Sequence, residues 1–208
     1  MNTKTITFAA ITALLVFSVM AVSELSTAEA KNEPEPDFEA KLQGFQQTVP
    51  TEKGTGHGKA KFWWADGEDA LYYEIEVSKN YIVTWNGQTS KGNGGDTITK
   101  IHFHNNVPGT AGPHVLNVFG APSEDDGNLS VDVDKRTFTG KWDDGDANDL
   151  PPANRSPNDS VAFTLVDPLS GNTPRDELCS GNLYVNIHSV EHGPGALRGQ
   201  IIPSSGAC

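Results

Sequence analysis

Short alternating stretches dominate the sequence after residue 37. In LYYEIEV, residues 71–77, every odd position is apolar, whereas Glu74 and Glu76 occupy even positions. Successive side chains of a β-strand point to opposite faces, so this pattern predicts a half-buried strand. No window of a dozen residues shows the apolar spacing of a long helix. We predict strands at residues 38–45, 58–65, 71–77, 97–104, 115–119, 129–133, 137–142, 160–166, 183–189 and 196–202.

The segments between these stretches are rich in turn-forming residues, because the chain contains 21 glycines and 13 prolines. Many short strands separated by such turns are typical of antiparallel sandwiches and barrels. We therefore predict an all-β fold, an antiparallel Greek-key β-sandwich or barrel, with an immunoglobulin-like arrangement as one form that satisfies the pattern.

Residues 1–30 have the features of a secretory signal peptide. Lys4 precedes an apolar run at residues 6–22, and the sequence Ala-Glu-Ala at residues 28–30 provides a small-x-small cleavage pattern. The run is close to the lower length limit for a membrane span, so an uncleaved anchor is the alternative. We expect a secreted or extracytoplasmic protein, anchored at the cell surface if the signal is not cleaved.

The remaining chain predicts one domain. Residues 31–37, KNEPEPD, combine two prolines with charged residues and are typical of an extended linker. Residues 38–208 are long enough for a single domain with its own core. No later segment is apolar enough to cross a membrane, so we predict no transmembrane segment in the mature chain.

The chain carries 27 acidic and 15 basic side chains, a formal net charge of -12. An anionic surface repels phosphate backbones, so we exclude nucleic acid as a partner. The same charge repels a small anionic substrate on average, and capture of such a substrate would need a local positive patch.

Cys179 and Cys208 are the two cysteines of the chain. In an oxidising exported compartment, an even pair is most simply a disulfide. The alternative is a pair of metal thiolates, which the 29-residue separation and the absence of a Cys-x-x-Cys pair disfavour. We predict the disulfide.

Three of the six histidines lie in KIHFHNNVPGTAGPH, residues 100–114. Strand periodicity places His102 and His104 on one face and the intervening apolar residues on the other. In LYVNIHS, Leu183–Ser189, the same count puts His188 on the face away from the apolar positions. Histidines thus project from the non-core faces of two strands.

Imidazoles at positions i and i+2 of a strand lie close enough to share one cation, and a third from a neighbouring strand completes a set that suits copper or zinc. His114 and His192, in predicted turns, are further candidate ligands. The alternative is a hydrogen-bonded surface pair, because strand alternation produces such pairs without metal. His57 has no partner in sequence and is typical of a turn residue.

Three long stretches resemble the CHRD (chordin-type) domain from Leu42 to about Ile202: LQGFQQTVPTEKGTGHGKAKFWWADGEDALYYEIEV, KIHFHNNVPGTAGPHVLNVFG and GNLYVNIHSVEHGPGALRGQI. The residues that match the family's marks beyond the early Gly-Thr-Gly are His102, His104, His188, His192, Arg198, Gly199 and Gln200. Two departures are HFHN in place of a His-Gly step and His114 where an aliphatic residue is usual. The resemblance implies an extracellular module and leaves binding and catalysis open.

The order of the histidines also resembles, more distantly, the copper site of the copper/zinc superoxide dismutases. The residues in that order are His102, His104, His114, His188 and Arg198. This resemblance implies a superoxide dismutase-like sandwich, copper as cofactor, and Arg198 as a catalytic residue that draws a small anionic or redox substrate inward. The alternative for Arg198 is a structural arginine paired with an acidic side chain. No histidine lies between His114 and His188, so we expect one ion, with zinc the less favoured occupant.

We therefore predict an exported CHRD-domain protein with superoxide dismutase-like redox chemistry. The candidate ligands of its single copper ion are His102, His104, His114, His188 and His192. Two alternatives are a non-catalytic extracellular module that binds a protein or matrix partner, and a protein that stores or delivers copper.

Overall fold

The computed structural model describes residues 34–48, 54–65, 69–91, 95–120, 127–147, 160–164, 166 and 171–208. Within them, Glu35–Cys208 forms one compact unit. The predicted signal peptide and the first three residues of the predicted linker lie outside the described residues. No helix in the described parts of the chain is long and apolar enough to cross a membrane.

The described residues form thirteen strands, one α-helix and two short 3₁₀ helices. The strands are β1 (Phe38–Gln43), β2 (His57–Trp64), β3 (Leu71–Val77), β4 (Tyr81–Ile82), β5 (Thr84–Trp85), β6 (Gln88–Thr89), β7 (Asp96–Asn105), β8 (His114–Phe119), β9 (Ser130–Asp132), β10 (Thr137–Trp142), β11 (Leu183–Ser189), β12 (Leu197–Gln200) and β13 (Ile202–Pro203). The helix α1 is Pro174–Cys179, and the 3₁₀ helices are Gly44–Gln46 and Asp144–Asp146. The prediction of an all-β fold is confirmed.

Eleven of these strands form one sheet that curls into a half-barrel. Its hydrogen-bonded order is β4-β7-β11-β12-β1-β2-β3-β10-β9, with β13 beside β1 and β8 beside β7, while β5 and β6 form a separate hairpin. The short β4 and β7 pair is parallel and gives the sheet its mixed character. Strand β7 pairs with β8 and with β11 over residues 101–104, so a neighbouring strand lies on each side of it.

The inward face of β7 is anchored in the core. Ile101 and Phe103 have no exposed surface. The Phe103 ring makes edge-to-face contacts with three aromatic rings, those of Phe62, Tyr73 and Trp142, with centroid distances of 5.6, 5.6 and 6.0 Å. Such packing fixes the strand, and strand alternation then directs His102 and His104 to the opposite face.

Three predicted strands, residues 71–77, 137–142 and 183–189, match the observed bounds. The strand predicted at 160–166 is wrong, because none of its described residues lies in a strand. Its alternation has another cause: Val161 and Phe163 are buried in the core, and the Val161 carbonyl accepts a hydrogen bond from the Trp142 indole at 2.7 Å. Single contacts, rather than a ladder of strand hydrogen bonds, hold this segment in place.

Helix α1 was not predicted, because six residues are too few to show helical periodicity. Its start has a local signal: Thr173 and Asp176 form a capping box, and Pro174 occupies the first turn. The helix ends at Cys179, which forms a disulfide with Cys208. The predicted disulfide is confirmed, and it attaches the last residue of the chain to α1.

Candidate metal centre

Three histidines converge where β7 meets β8. His104 lies directly opposite His114 in the register of these strands, because register shifts on either side of His102 and Phe103 adjust the pairing. Directly opposite residues share a face. The His114 ring lies 4.3 Å from that of His104 and 4.1 Å from that of His102, between centroids. One ligand nitrogen from each of the three residues lies within 4.8 Å of the other two.

His102 is the most unusual residue of this group. It is 3% exposed, and among the described residues neither its Nδ1 nor its Nε2 has a hydrogen-bond partner. Within the same part of the chain, the Nε2 of His104 and the Nδ1 of His114 are also buried without a partner. Buried polar atoms are nearly always satisfied, and leaving one unpaired costs about 1–3 kcal/mol. One convergent nitrogen from each of the three rings fits the requirements of a bound cation.

His104 is held on what we call the closed side of the site, formed by Gly112, Tyr184 and Arg198. The His104 Nδ1–H donates to the Gly112 carbonyl at 2.9 Å, because a carbonyl can only accept. This bond leaves Nε2 with its lone pair free for a metal. The backbone N–H of Gly112 in turn donates to the Tyr184 hydroxyl at 3.0 Å, and any Cβ at Gly112 would overlap the Asn105 carbonyl.

The same side contains a stack of three side chains. The Tyr184 ring lies parallel to the His104 ring, with 4.9 Å between their centroids. The Arg198 guanidinium lies over the Tyr184 ring, 3.5 Å from its centroid. Arg198 is 2% exposed and donates to the Val107 carbonyl at 3.4 Å. Tyr184 therefore contacts both Arg198 and His104, and the loop at residues 106–113 covers Arg198.

The other side, which we call the open side, consists of Lys100, His188 and Gly193. It borders a cleft of about 380 Å³ lined by Thr99, Lys100, His102, His114, Asn117, His188 and Gly193. His188 and Lys100 are paired across β11 and β7. His104 does not line this cleft, so the histidine group has one covered flank and one accessible flank.

His188 is oriented by the turn that follows β11. Its Nδ1–H donates to the Gly193 carbonyl at 2.6 Å, and its Nε2 accepts from the Asn186 amide at 3.2 Å. The His188 and His102 ring centroids are 4.9 Å apart. His188 is thus the imidazole next to the group of three, and its Nε2 is hydrogen-bonded to a neutral amide.

Burial keeps these imidazoles neutral. It lowers the pKa of His102 to about 2, with further lowering by the nearby His114 and His188. Burial also lowers the pKa of His104 to about 3, although the Gly112 carbonyl acts in the opposite direction. The pKa values of His114 and His188 are lowered for the same main reason. Neutral imidazole is the form that binds a metal.

Two predicted site residues lie outside this group. The Nε2 of His192 lies 4.0 Å from Asp96 Oδ2, and His192 forms a separate cluster with Asp96 and Glu191. Arg198 occupies the closed side behind Tyr184. His57, predicted in a turn, begins β2 and is exposed.

Lys100, Tyr184 and Gly112 are among the residues of the site that were not predicted. Lys100 had an available signal, because it lies two positions before His102 and therefore on the same strand face. Tyr184 likewise shares the parity of His188. Gly112 had none, because its role depends on the path of the loop between β7 and β8.

Together, the curled sheet, the disulfide and the convergent imidazoles define an all-β module with a buried histidine triad that can hold a metal ion. The model of the CHRD domain matches residues 38–201. The chain therefore belongs to the CHRD domain family, whose domains are typically extracellular. Neither a curated protein nor a solved structure matches the chain.

Proposed function

We propose that this protein is an exported copper protein that binds one ion through His102, His104 and His114, with His188 as the nearest additional ligand. The observation that carries the proposal is His102, a residue only 3% exposed whose two ring nitrogens have no partner in the part of the chain that the structure describes. A satisfied structural histidine would donate or accept at least one hydrogen bond. The disulfide between Cys179 and Cys208 fits an oxidising compartment.

The donor set favours copper over zinc. The group consists of imidazoles without a thiolate or carboxylate, and imidazole sites bind Cu²⁺ more tightly than other divalent ions of the first transition series. When bound, copper supplies one-electron chemistry by alternating between Cu(II) and Cu(I). The residues of the chain provide three convergent nitrogens and a cleft on one flank for a ligand from solution.

The proposed substrate is a small redox-active anion, superoxide being the leading candidate. Two superoxide ions and two protons give one dioxygen and one hydrogen peroxide, so the reaction needs no other reductant. Lys100 supplies positive charge at the cleft, and it lies close enough to lower the pKa of His102, His114 and His188. It meets the need for local positive charge in a chain with a net charge of -12.

The contacts of Arg198 favour a different role from the one expected for it. Its guanidinium is buried, stacks on Tyr184 and does not line the cleft. We assign Arg198 to positioning His104 through Tyr184, and Lys100 to attraction of the anion.

A non-catalytic binding module is the second candidate function. Phe45, Val107 and Val190 are exposed apolar side chains, at 67%, 49% and 69%. Such side chains favour a contact with a partner where they form one continuous patch. The binding-module function requires surface recognition, and a role in copper storage requires metal binding. Neither function requires catalytic turnover.

Metal analysis of protein purified without chelators tests the binding proposal. We expect one copper per chain, lost in His102→Ala and retained in His57→Ala, which removes an exposed histidine outside the group. Circular dichroism establishes that both variants are folded. A folded wild-type protein that takes up no copper, or equal uptake by both variants, contradicts the proposal.

Catalysis requires a separate assay. The copper-loaded protein should consume superoxide faster than the same amount of copper with chelator present. If its rate equals that of the control while copper remains bound, the redox proposal fails and the binding-module or storage function is favoured.

A further inference from the structure

Asp96, Glu191 and His192 form a second cluster of metal-binding side chains. Asp96 begins β7, and the other two residues lie in the turn after β11. The turn is held against β7 because the Val190 N–H donates to the Thr97 carbonyl at 2.9 Å. One ligand atom from each of the three side chains lies within 4.8 Å of the other two.

Asp96 is the residue that points to a ligand. It is 8% exposed, and its Oδ1 accepts the Glu191 N–H at 3.0 Å. Its Oδ2 is buried and has no hydrogen-bond partner among the described residues. The His192 Nε2 lies 4.0 Å from this oxygen, beyond hydrogen-bond distance. A buried carboxylate oxygen without a donor is costly unless a positive charge compensates it.

We propose that Asp96, Glu191 and His192 form a second cation site, separate from the histidine group, that takes a divalent ion of the zinc class. One imidazole nitrogen and two carboxylate oxygens are a donor set that Zn²⁺ accepts, at roughly 2.0–2.2 Å. This set is harder than the three imidazoles of the first site and therefore less suited to copper in its reduced form. His192 ligates here, which is why it lies outside the histidine group.

Such an ion would connect the start of β7 to the turn that orients His188. This turn contains Gly193, whose carbonyl fixes the His188 Nδ1–H, and Glu191 and His192 directly precede it. An ion held by Asp96 would therefore hold the open side of the first site in place. The inference does not require that the first site be catalytic.

Zinc titration of a variant whose histidine group has been disabled isolates the second site. In the full chain with His102→Gln, we expect one equivalent of Zn²⁺ to bind when zinc chloride alone is added. Adding Asp96→Asn or His192→Gln should weaken the zinc affinity at least ~10-fold, since loss of a ligand costs no less than loss of a residue that supports one. His57→Gln, in an exposed histidine of β2, serves as the matched control.

Asn at position 96 retains an oxygen that can accept the Glu191 N–H, so the turn should remain folded. If Asp96→Asn nevertheless fails to fold, His192→Gln decides the test, because the His192 side chain is partly exposed. Absence of a bound equivalent, or equal zinc affinity in all variants, overturns the proposal. If Asp96→Asn is less stable than the wild type but none of the proteins binds zinc, the proposal is also overturned, and the cluster is an ion pair only.

Discussion

The closed and open sides of the site hold His104 and His188 in different ways. On the closed side, His104 has a carbonyl on Nδ1, a parallel tyrosine ring and a buried arginine behind that ring. On the open side, His188 has a turn carbonyl on Nδ1, a neutral amide on Nε2 and a cleft beside it. The difference shows that the sheet presents the imidazoles, whereas the loops determine which flank admits solvent.

This asymmetry gives the two sides separate duties in the proposed function. Fixed hydrogen bonds and stacking preorganise a metal ligand and its tautomer. A cleft with a lysine at its edge admits and attracts a small anion. The following experiments test that division, from the largest expected effect to the smallest.

Acid titration of the metal-free protein should give the largest effect. The unfolded chain protonates its histidines near the ordinary pKa of 6.5, whereas folding holds the pKa of His102 at about 2 and that of His104 at about 3. Protonation thus favours the unfolded state. The stability contribution is fully present above pH 6.5 and is lost as the pH falls, down to about 3 for His104 and about 2 for His102, by up to about 1.4 kcal/mol per pH unit for each group.

Urea unfolding after chelation, at pH 7, 6 and 5, measures this dependence. His104→Gln should flatten the curve more than His188→Gln, because His104 is the more deeply buried residue. His57→Gln should leave the slope unchanged. A wild-type slope equal to that of His104→Gln would contradict the assignment of His104 to the closed side.

Metal affinity should distinguish the two histidines next. His104→Gln removes a member of the group of three, and we expect copper affinity to fall at least ~100-fold, more than the ~10–100-fold loss that supporting residues cause. His188→Gln removes an imidazole beyond that group and should cost roughly tenfold. Competition with a copper chelator of known affinity measures both. Equal losses would show that the two sides ligate equally.

Tyr184→Phe tests the support behind His104. The phenyl ring keeps the stack but removes the hydroxyl that accepts the Gly112 N–H. We expect copper affinity to fall ~10-fold and the free energy of unfolding to fall by about 1 kcal/mol. Tyr72→Phe, on an exposed tyrosine of β3, is the matched control. An unchanged copper affinity in Tyr184→Phe would show that the Gly112 carbonyl needs no support from this hydroxyl.

Lys100→Gln tests the open side. Azide, a small anion that binds Cu(II) and can be followed by its absorption, should bind the copper-loaded variant roughly fivefold more weakly, since one charge near the ligand contributes about 1 kcal/mol at 4 Å in water. Lys135→Gln makes the same change in net charge on an 80% exposed side chain and should have no effect.

Arg198→Gln removes an equal charge from the closed side and should leave azide affinity within about twofold, because Arg198 does not reach the cleft. A larger effect of Arg198→Gln than of Lys100→Gln would return the anion-attracting role to Arg198.

Local sequence patterns predicted most of the sheet and much of the site. Alternation located β3, β10 and β11 at their observed bounds. It also assigned His102, His104 and His188 to the strand faces opposite the apolar positions. The same pattern was misleading at residues 160–166, because two buried side chains two positions apart need no strand ladder to place them in the core. His114 was expected in a turn, and the register shifts of β7 place it at the start of β8.

Strand parity could not reveal that the histidine-bearing face is covered. Parity places Tyr184, Asn186 and Arg198 away from the core, where exposed polar residues are usual, yet all three are at most 7% exposed. They are buried because loops distant in sequence fold over the face: Gln47 donates to Asn186 at 2.8 Å, and Val107 accepts from Arg198.

The sequence by itself determined the all-β class, the family, the disulfide pair and the face on which His102, His104 and His188 lie, because each depends on residue type and on the two-residue period of a strand. Only the tertiary structure decided which histidines meet. Strand register places His114 in the group, His192 lies outside the group beside Asp96, and Lys100 rather than Arg198 lines the cleft. These outcomes depend on contacts between residues far apart in the chain, which no local pattern encodes.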